Sequence, residues 1–281
     1  MSQTLNSNQL GNVTQSDIPD YEYYEILNIL KNKKKLDMNG FRDKFLKRRI
    51  KLKMNEKKIH NYKDFIKLLK QEDDEVDKLF HFITVNYTSF YRDGDVYDQF
   101  YQEILPKIFL NKKTIKILSA GCSSGEEPYT LSMLLNEYTE RKKGKINFRI
   151  EALDVDSEVI QKARKGEYNK ESFKELDKKY IKKYFTEVND KYIVKSELKR
   201  YITFRLHDIN KPIKDNYYDI IFCRNVFIYF TNESKEKALN NFHKALKENA
   251  YLIIGKTEMM PISFNSKYNC ISNRKKIYQK K

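Results

Sequence analysis

The alternation of two hydrophobic patterns in the second half of the chain is the feature that most constrains its fold. Short runs rich in β-branched residues alternate there with longer segments whose apolar residues recur every three or four positions. The predicted strands cover residues 114–120, 148–153, 202–206, 218–222 and 251–254, and the predicted helices cover 126–138, 157–165 and 233–247. Such alternation implies βαβ units with right-handed crossovers. The sequence therefore predicts an α/β protein whose residues 112–281 form a doubly wound, Rossmann-like domain.

The first half of the chain has helical spacing throughout. Between residues 19 and 92 apolar residues recur as in Ile26 with Leu30, and no strand-like alternation occurs. This pattern predicts an all-α N-terminal domain over 19–92. The amphipathic stretch that follows predicts a linker helix over 93–111, with Pro106 as a kink or an early stop.

Two further segments stand apart from these domains. Residues 1–18 are polar with few large apolar groups, which predicts a disordered tail. Residues 167–200 lengthen the connection between the second and third strands. Within them Asn189-Asp190 separates two strand-like runs, which predicts a small antiparallel β insert.

Targeting signals and cysteine patterns are missing from the sequence. The N-terminus lacks the basic and apolar regions of a signal peptide, and no apolar run approaches the roughly 18 residues of a membrane span. The three cysteines form no CxxC pair. We therefore expect a cytoplasmic monomer without membrane insertion.

The basic surplus predicts an anionic partner. Lys+Arg 55 against Asp+Glu 39 leave a formal charge of +16, which suits nucleic acid, an acidic membrane face or an acidic protein surface. Residues 41–70 concentrate this charge, with 12 Lys+Arg against 3 Asp+Glu. Such a run is a solvated helix face by default, and beside an active site it would also attract an acidic helix.

A glycine turn joins the first predicted strand to its helix in the run KILSAGCSSGEEPYT. Gly121 and Gly125 allow a sharp turn and the close approach of a ligand, although a tight turn without a ligand explains them equally well. Their spacing matches neither GxGxxG nor a Walker A loop. Glu126 and Glu127 either favour the helix dipole or bind a cation. Because carboxylates repel a pyrophosphate, they favour a cofactor that carries an ammonium group.

Polar side chains also follow the next three predicted strands. The carboxyl ends of parallel strands meet at one edge of a doubly wound sheet, where ligands bind. Asp154 stands where a carboxylate would hold a ribose diol, and Asp208 stands where an acid accepts from an adenine amine or only closes a turn. Arg224 and Asn225 would point into the same crevice. Tyr229 lines this pocket or belongs to the core.

Six motifs, taken in order, resemble the CheR family of chemotaxis receptor methyltransferases. They are VNYTSFYR, SAGCSSGEEPYT, ALDVD, HDIN, FCRNVFIYF and GKTE, and the resemblance spans residues 20–281. It implies methylation of glutamate side chains on the cytoplasmic domain of methyl-accepting chemoreceptors, with glutamyl methyl esters as products. It also implies S-adenosyl-L-methionine as the cofactor, S-adenosyl-L-homocysteine as its product, and a receptor-docking role for the β insert.

The resemblance further implies a set of site residues. Those that would bind the cofactor are Asn86, Thr88, Arg92, Gly121, Glu127, Asp154, Asp208, Ile209, Arg224 and Asn225. The family pattern puts Glu127 on the methionine ammonium, Asp154 on the ribose and Arg224 beneath the adenine. Arg92 would orient the incoming carboxylate and Tyr229 would shape the methyl-transfer pocket, and no metal site is expected.

Glutamate chemistry agrees with the residues present. A glutamate with a pKa of about 4.3 is already an ionised nucleophile at neutral pH, so the 4 histidines need not supply a general base. Two rival functions stay open, a nucleic-acid methyltransferase and a catalytically silent cofactor-binding scaffold or sensor. A methyltransferase that acts on base amino groups typically has an Asp/Asn-Pro-Pro-aromatic run, whereas this chain has Arg224-Asn225-Val226-Phe227 at that place. Residues 42–61 also hold Phe45 as their one aromatic, so no nucleic-acid partner is expected.

Overall fold

The N-terminal half is a helical bundle, as the sequence predicts. The computed structural model describes residues 19–110, 112–143 and 146–281, so the predicted tail at 1–18 lies outside the described residues. The helices are α1 (Asp20–Lys34), α2 (Asp43–Glu56), α3 (Tyr62–Gln71) and α4 (Asp73–Ile83), with a 3-10 turn at Met38–Gly40. Each helix buries one apolar face in a common cluster that includes Ile26, Leu46, Phe65 and Leu79. The bundle therefore has its own core.

A longer helical run follows the bundle. It consists of α5 (Gly94–Gln99), a π turn (Phe100–Ile104) and α6 (Leu105–Phe109). Pro106 does not stop this run early, contrary to one of the two sequence expectations. It lies in the first turn of α6, where a missing N–H donor costs little, and the π turn lies directly before it.

The second half of the chain is built on two sheets. In chain order the strands are β1 (Thr114–Ala120), β2 (Asn147–Asp154), β3 (Glu167–Tyr168), β4 (Phe185–Val188), β5 (Lys191–Val194), β6 (Ile202–Leu206), β7 (Tyr218–Cys223), β8 (Leu246–Ile254), β9 (Tyr268–Ser272) and β10 (Ile277–Lys280). The large sheet has the order β6-β2-β1-β7-β8-β10-β9. Its first five strands are parallel, and β10 runs antiparallel to both β8 and β9. The predicted doubly wound, Rossmann-like class is confirmed.

Helices cover both faces of the large sheet. They include α7 (Glu126–Arg141), α8 (Ser157–Lys165) and α11 (Asn232–Ala245), whereas the short helices α9 (Lys178–Tyr184) and α10 (Ser196–Lys199) lie within the insert. Successive side chains of β1 point to opposite faces, as strand geometry requires. Ile115 and Ile117 join the cluster with α5 and α7, whereas Leu118 and Ala120 join the cluster with α11. The sheet is therefore buried between two apolar layers.

The insert forms a small antiparallel sheet, as predicted. Its order is β3-β5-β4, and β4 and β5 are joined at Asn189 and Asp190, whose φ angles of 49° and 60° suit a two-residue hairpin turn. The insert packs on the segment before α5 through Phe90. The Phe90 ring stacks on Phe173 at 4.9 Å and meets Phe185 edge-on at 5.1 Å.

Strand order determines where a ligand can bind. The chain turns in opposite directions on the two sides of β1, so a crevice opens at the carboxyl ends of β1 and β7. The antiparallel strands β9 and β10, which the sequence analysis did not predict, complete the opposite edge of the sheet. Within the described parts of the chain, no helix is both long and apolar enough to cross a membrane.

Candidate active site

The residues selected from the sequence meet in one cleft at the carboxyl ends of the parallel strands. The predicted residues that line it are Asn86, Thr88, Arg92, Gly121, Glu127, Asp154, Asp208, Ile209, Arg224, Asn225 and Tyr229. They come from the segment between α4 and α5 and from the ends of β1, β2, β6 and β7. The strand order thus collects side chains that are far apart in the sequence.

The glycine turn after β1 forms one wall of the cleft. Gly121 and Gly125 have φ angles of 76° and 98°, in the left-handed region that glycine tolerates. A Cβ atom on Gly121 would collide with the side chain of Val226. The N–H groups of Gly121 and Cys122 donate to the carbonyl oxygen of Leu153 at 2.8 and 2.9 Å. These bonds fix the turn against the end of β2.

Asp154 presents a buried carboxylate at the end of β2, with 8% of its surface exposed. Its Oδ2 accepts from the N–H of Ser123 at 2.8 Å, and its Oδ1 accepts from the N–H of Asp156 at 3.0 Å. Burial raises the pKa of Asp154 to about 6, and the two main-chain donors partly offset this effect. The carboxylate is thus held rigidly beside the cleft, as an acceptor for two hydroxyl groups needs to be.

The two glutamates at the start of α7 have different surroundings. The carboxylate of Glu127 lines the cleft, accepts from the hydroxyl of Ser119 at 2.8 Å and lies 3.8 Å from Nη1 of Arg224. Burial raises the pKa of Glu127 although Arg224 and Ser119 oppose the shift. Glu126 instead accepts from the hydroxyl of Ser124 at 2.8 Å and is not among the residues that line the cleft. Only Glu127 can therefore meet a bound cation.

Arg224 is a buried cation that connects the end of β7 to residues 92–97 through hydrogen bonds. Its Nη2 donates to Oδ2 of Asp93 at 2.5 Å and to the carbonyl oxygen of Arg92 at 2.9 Å. Its Nη1 donates to the hydroxyl of Tyr97 at 3.1 Å, next to Glu127. The family pattern puts this side chain beneath the adenine, but no residue of the loop after β6 is among its described partners. A buried guanidinium turns toward the nearest acids, which here lie on the Glu127 side.

The loop after β6 contributes a turn with unpaired polar atoms. Oδ1 of Asp208 accepts from the N–H of Asn210 at 2.9 Å, so the turn that the sequence suggested is present. Ile209 is 4% exposed. The amide of Asn210 donates to Oγ of Ser234 at 2.9 Å. Within the described residues, Oδ1 of Asn210 and Nε2 of His207 are buried without a partner, which indicates that a ligand completes this end of the cleft.

Asp156 joins the two halves of the chain. It is the N-cap of α8, where its Oδ1 accepts from the N–H of Glu158 at 2.9 Å. Its Oδ2 also accepts from the side chains of Thr84 and Asn86, both at 2.9 Å, and lies 2.7 Å from Nδ1 of His81. No local pattern in the sequence reveals these contacts, because the three partners lie 70 to 75 positions from Asp156 along the chain.

Tyr229 and the basic helix α2 meet at one edge of the cleft, which is called the rim below. Arg92 donates through Nη1 to the carbonyl oxygen of Tyr87 at 3.2 Å. The ring of Tyr229 lies 4.8 Å from the ring of Phe45 on α2. Arg92 and Arg49 both lower the pKa of Tyr229, against a larger rise from burial. Arg92 lines the cleft, whereas Arg49 does not and donates through Nη2 to the carbonyl oxygen of Phe82. The sequence analysis did not select Arg49, although it lies on the same face of α2 as Phe45, four positions later.

The helical bundle also closes part of the cleft, which the sequence analysis did not predict. Its lining residues are Leu36, Asp37, Gly40 and Phe41. Main-chain bonds fix this contact, because the N–H of Arg42 donates to the carbonyl oxygen of Tyr229 and the N–H of Thr231 donates to that of Gly40, both at 2.9 Å. No local motif marks these residues, since their role depends on how the bundle packs against the sheet.

Comparison with known proteins decides the family. The model of the CheR methyltransferase SAM-binding domain matches residues 86–277, and that of the CheR methyltransferase all-alpha domain matches residues 21–84. The chain belongs to the CheR methyltransferase family. A chemotaxis protein methyltransferase of Listeria monocytogenes is 32% identical to this CheR methyltransferase over 246 residues, which are 86% of this chain and 92% of the relative. One of Borreliella burgdorferi is 32% identical over 275 residues, which are 94% and 97% of the two chains.

The cofactor of this CheR methyltransferase is S-adenosylmethionine, and the cleft fits its chemistry. Glu127 is a largely buried acid with a raised pKa that would meet the methionine ammonium, and Asp154 would hold the ribose hydroxyls. The unpaired atoms of Asn210 and His207 are polar groups that an adenine can satisfy. When bound, the cofactor supplies a methyl group on a sulfonium, which needs no metal or thiol from the chain.

Cofactor binding to this CheR methyltransferase is expected to weaken about tenfold from pH 7 to pH 5. With a pKa of about 6, Asp154 is roughly nine-tenths ionised at pH 7 and one-tenth at pH 5, and the raised pKa of Glu127 acts in the same direction. Isothermal titration of S-adenosylhomocysteine at both pH values measures this. Glu126→Gln, which alters a buried acid outside the cleft lining, should keep the same profile, whereas a flat wild-type profile contradicts the prediction.

Proposed function

We propose that the chain transfers the methyl group of S-adenosylmethionine to glutamate side chains on the cytoplasmic helices of chemoreceptors, with glutamyl methyl esters as products. The observation that carries the proposal is the distribution of charge at the cleft. Acids line its interior, as Glu127, Asp154 and Asp208 show, whereas Arg92 lines the side of Tyr229, where the basic helix α2 packs through Phe45. An anionic side chain that enters over this rim meets cations first.

The basic stretch predicted from the sequence lies at the same rim. Phe45 of α2 contacts Tyr229, and Arg42, directly before α2, donates through Nε to the carbonyl oxygen of Phe230 at 2.9 Å. Arg48 follows on the exposed surface of α2. Charges of this kind steer an acidic helix toward the cleft from a distance and fix its orientation on arrival. The names of the relatives, chemotaxis protein methyltransferases, support receptors as the source of that helix.

A glutamate acceptor needs no general base from the chain. Its carboxylate is ionised at neutral pH, so its oxygen can attack the methyl carbon while the carbon–sulfur bond breaks, and no proton has to move. The remaining requirement is to hold the carboxylate oxygen, the methyl carbon and the sulfur in line. Such alignment can correspond to an effective molarity of about 10⁵ M or more. We assign Arg92 to hold the incoming carboxylate and the ring of Tyr229 to form the wall that shapes its approach.

Nucleic acid is a weaker candidate for the acceptor. A base-binding surface places aromatic rings among its basic residues so that bases can stack on them. Phe45, the one aromatic residue within residues 42–61, packs on Tyr229 with ring centroids 4.8 Å apart, so its ring is already in contact within the protein. The motif after β7 also lacks the prolines of the base-amino methyltransferases.

Methyl transfer into purified receptor fragments tests the proposal. The protein is incubated with S-adenosylmethionine labelled in the methyl group and with chemoreceptor cytoplasmic fragments, with RNA as a parallel substrate. The expected result is label on the receptor that mild base releases as methanol, because a methyl ester hydrolyses and a methylated amide or base does not. Label on RNA alone, or base-stable label on the receptor, would overturn the proposal.

A charge reversal on α2 is expected to slow receptor methylation about fivefold to tenfold at low salt. Arg48→Glu changes an exposed cation near the rim without touching the cleft lining, so it reduces steering of an acidic helix. The effect should shrink at about 0.5 M salt, where the Debye length is a few ångström. Initial rates at limiting receptor measure this, and Lys244→Glu on the exposed surface of α11 is the matched control. Equal losses in both variants would contradict a specific role for α2.

A further inference from the structure

The carboxylate of Asp156 binds the segment that leads from the helical bundle to the sheet. Asp156 is 2% exposed and is not among the residues that line the cleft. Its Oδ2 accepts from Oγ of Thr84 and from Nδ2 of Asn86, both at 2.9 Å, and lies 2.7 Å from Nδ1 of His81. One buried oxygen therefore contacts the last turn of α4 and both neighbours of residue 85.

The residue between these two neighbours has a strained backbone. Val85 has a φ angle of 43°, in the left-handed region where a β-branched side chain is rarely found. Such a conformation costs free energy and persists only where surrounding contacts hold it. The hydrogen bonds from Thr84 and Asn86 to Asp156 hold the chain on both sides of Val85. We therefore expect this segment to leave its conformation when the two bonds are lost.

The segment held in this way forms one wall of the cleft. Residues 84–89 and Arg92 all line it. On its other side Asp156 is joined to the sheet, because its N–H donates to Oδ1 of Asp154 at 3.0 Å and its Oδ1 accepts from the N–H of Glu158 at 2.9 Å. Asp156 therefore connects the wall at residues 84–86 to the carboxylate that would hold the ribose.

We propose that Asp156 is a positioning residue, whose carboxylate holds residues 84–86 in the strained conformation that forms this wall of the cofactor cleft. It acts on cofactor binding through Thr84 and Asn86, which line the cleft, whereas Asp156 does not. A protein whose wall is in place for only a fraction of the time binds its ligand with an affinity reduced by that fraction. The inference concerns cofactor binding, so it does not depend on which acceptor is methylated.

Asp156→Ser is the sharpest test, because serine caps a helix about as well as aspartate but has no second oxygen for Thr84 and Asn86. Isothermal titration of S-adenosylhomocysteine at pH 7 is expected to show about tenfold weaker binding, as for a wall in place about one-tenth of the time. Asp177→Ser is the matched control. Asp177 caps α9, and its described polar partners both belong to Lys179, so this variant should bind with wild-type affinity.

A double-mutant cycle on affinity separates positioning from general structural support. Thr84→Val removes the hydroxyl that donates to Asp156 and should itself weaken S-adenosylhomocysteine binding. If both changes release the same segment, the loss of affinity in the double variant should be well below the product of the two single losses. Losses that multiply would overturn the proposal, because Asp156 would then act on binding by another route.

The single variants give two further decisive outcomes. Wild-type affinity in a folded Asp156→Ser variant would overturn the proposal, and so would an equal loss in Asp177→Ser. Circular dichroism and the melting temperature establish that each variant is folded at the temperature of the titration. If the serine variant does not fold, Asp156→Asn, which keeps the volume of the side chain, is titrated instead, and wild-type affinity there overturns the proposal.

Discussion

Asp154→Ala is expected to weaken S-adenosylhomocysteine binding by about a hundredfold or more. The carboxylate is buried at the end of β2 and its orientation is fixed by the N–H groups of Ser123 and Asp156. A hydrogen bond to a charged acceptor contributes about 1.5–3 kcal/mol, and a ribose offers two hydroxyl donors. Loss of both therefore exceeds the 2.7 kcal/mol or so that a hundredfold change represents. Isothermal titration at pH 7 measures the affinity.

The control for this variant has to distinguish the loss of the contact with the ribose from a disturbance of the local fold. Asp154→Asn keeps one accepting oxygen and nearly the same volume, so its affinity should lie between those of the wild type and the alanine variant. Circular dichroism and the melting temperature report on the loss of the two main-chain bonds. An alanine variant that remains folded and binds S-adenosylhomocysteine with wild-type affinity would show that Asp154 does not hold the ribose.

Much of the cleft could be predicted from the sequence, because the topology of a doubly wound sheet determines which loops meet. Once β1, β2, β6 and β7 are recognised as parallel strands, the residues at their carboxyl ends share one edge. Gly121, Asp154, Asp208 and Asn225 all follow this rule and all line the cleft. The rule uses only local patterns, namely an apolar run and the residues that directly follow it.

The contributions missed by the sequence analysis all depend on contacts between distant segments. The partner of Arg42 at the rim is the carbonyl of Phe230, 188 positions away. The direction of the Arg224 side chain likewise depends on Asp93, which no strand pattern places beside it. Strands β9 and β10 were missed because they are short and pair with neighbours at the edge of the sheet. Tertiary packing, which a local pattern does not encode, decides each of these cases.

Arg92→Ala is expected to lower kcat about a hundredfold to a thousandfold at saturating cofactor. Arg92 lines the same cleft as Glu127 and Tyr229, and its guanidinium lowers the pKa of both side chains. A cation there can bind one oxygen of an entering carboxylate and fix its approach to the methyl group. Loss of one such preorganised donor costs about 10²–10³ in kcat in well-studied enzymes.

The loss of kcat compared with the loss of affinity shows whether Arg92 orients the acceptor or binds the cofactor. If it orients the acceptor, S-adenosylhomocysteine affinity should fall less than about tenfold in Arg92→Ala, in contrast to Asp154→Ala. Arg92→Lys keeps the charge but loses the planar pair of donors, so it should restore steering and affinity without restoring most of kcat. A loss of affinity that accounts for the whole loss of activity would instead make Arg92 a cofactor ligand alone. The hold on the acceptor carboxylate would then belong to another cation, and Arg49 of α2, which also lowers the pKa of Tyr229, is the next residue to replace.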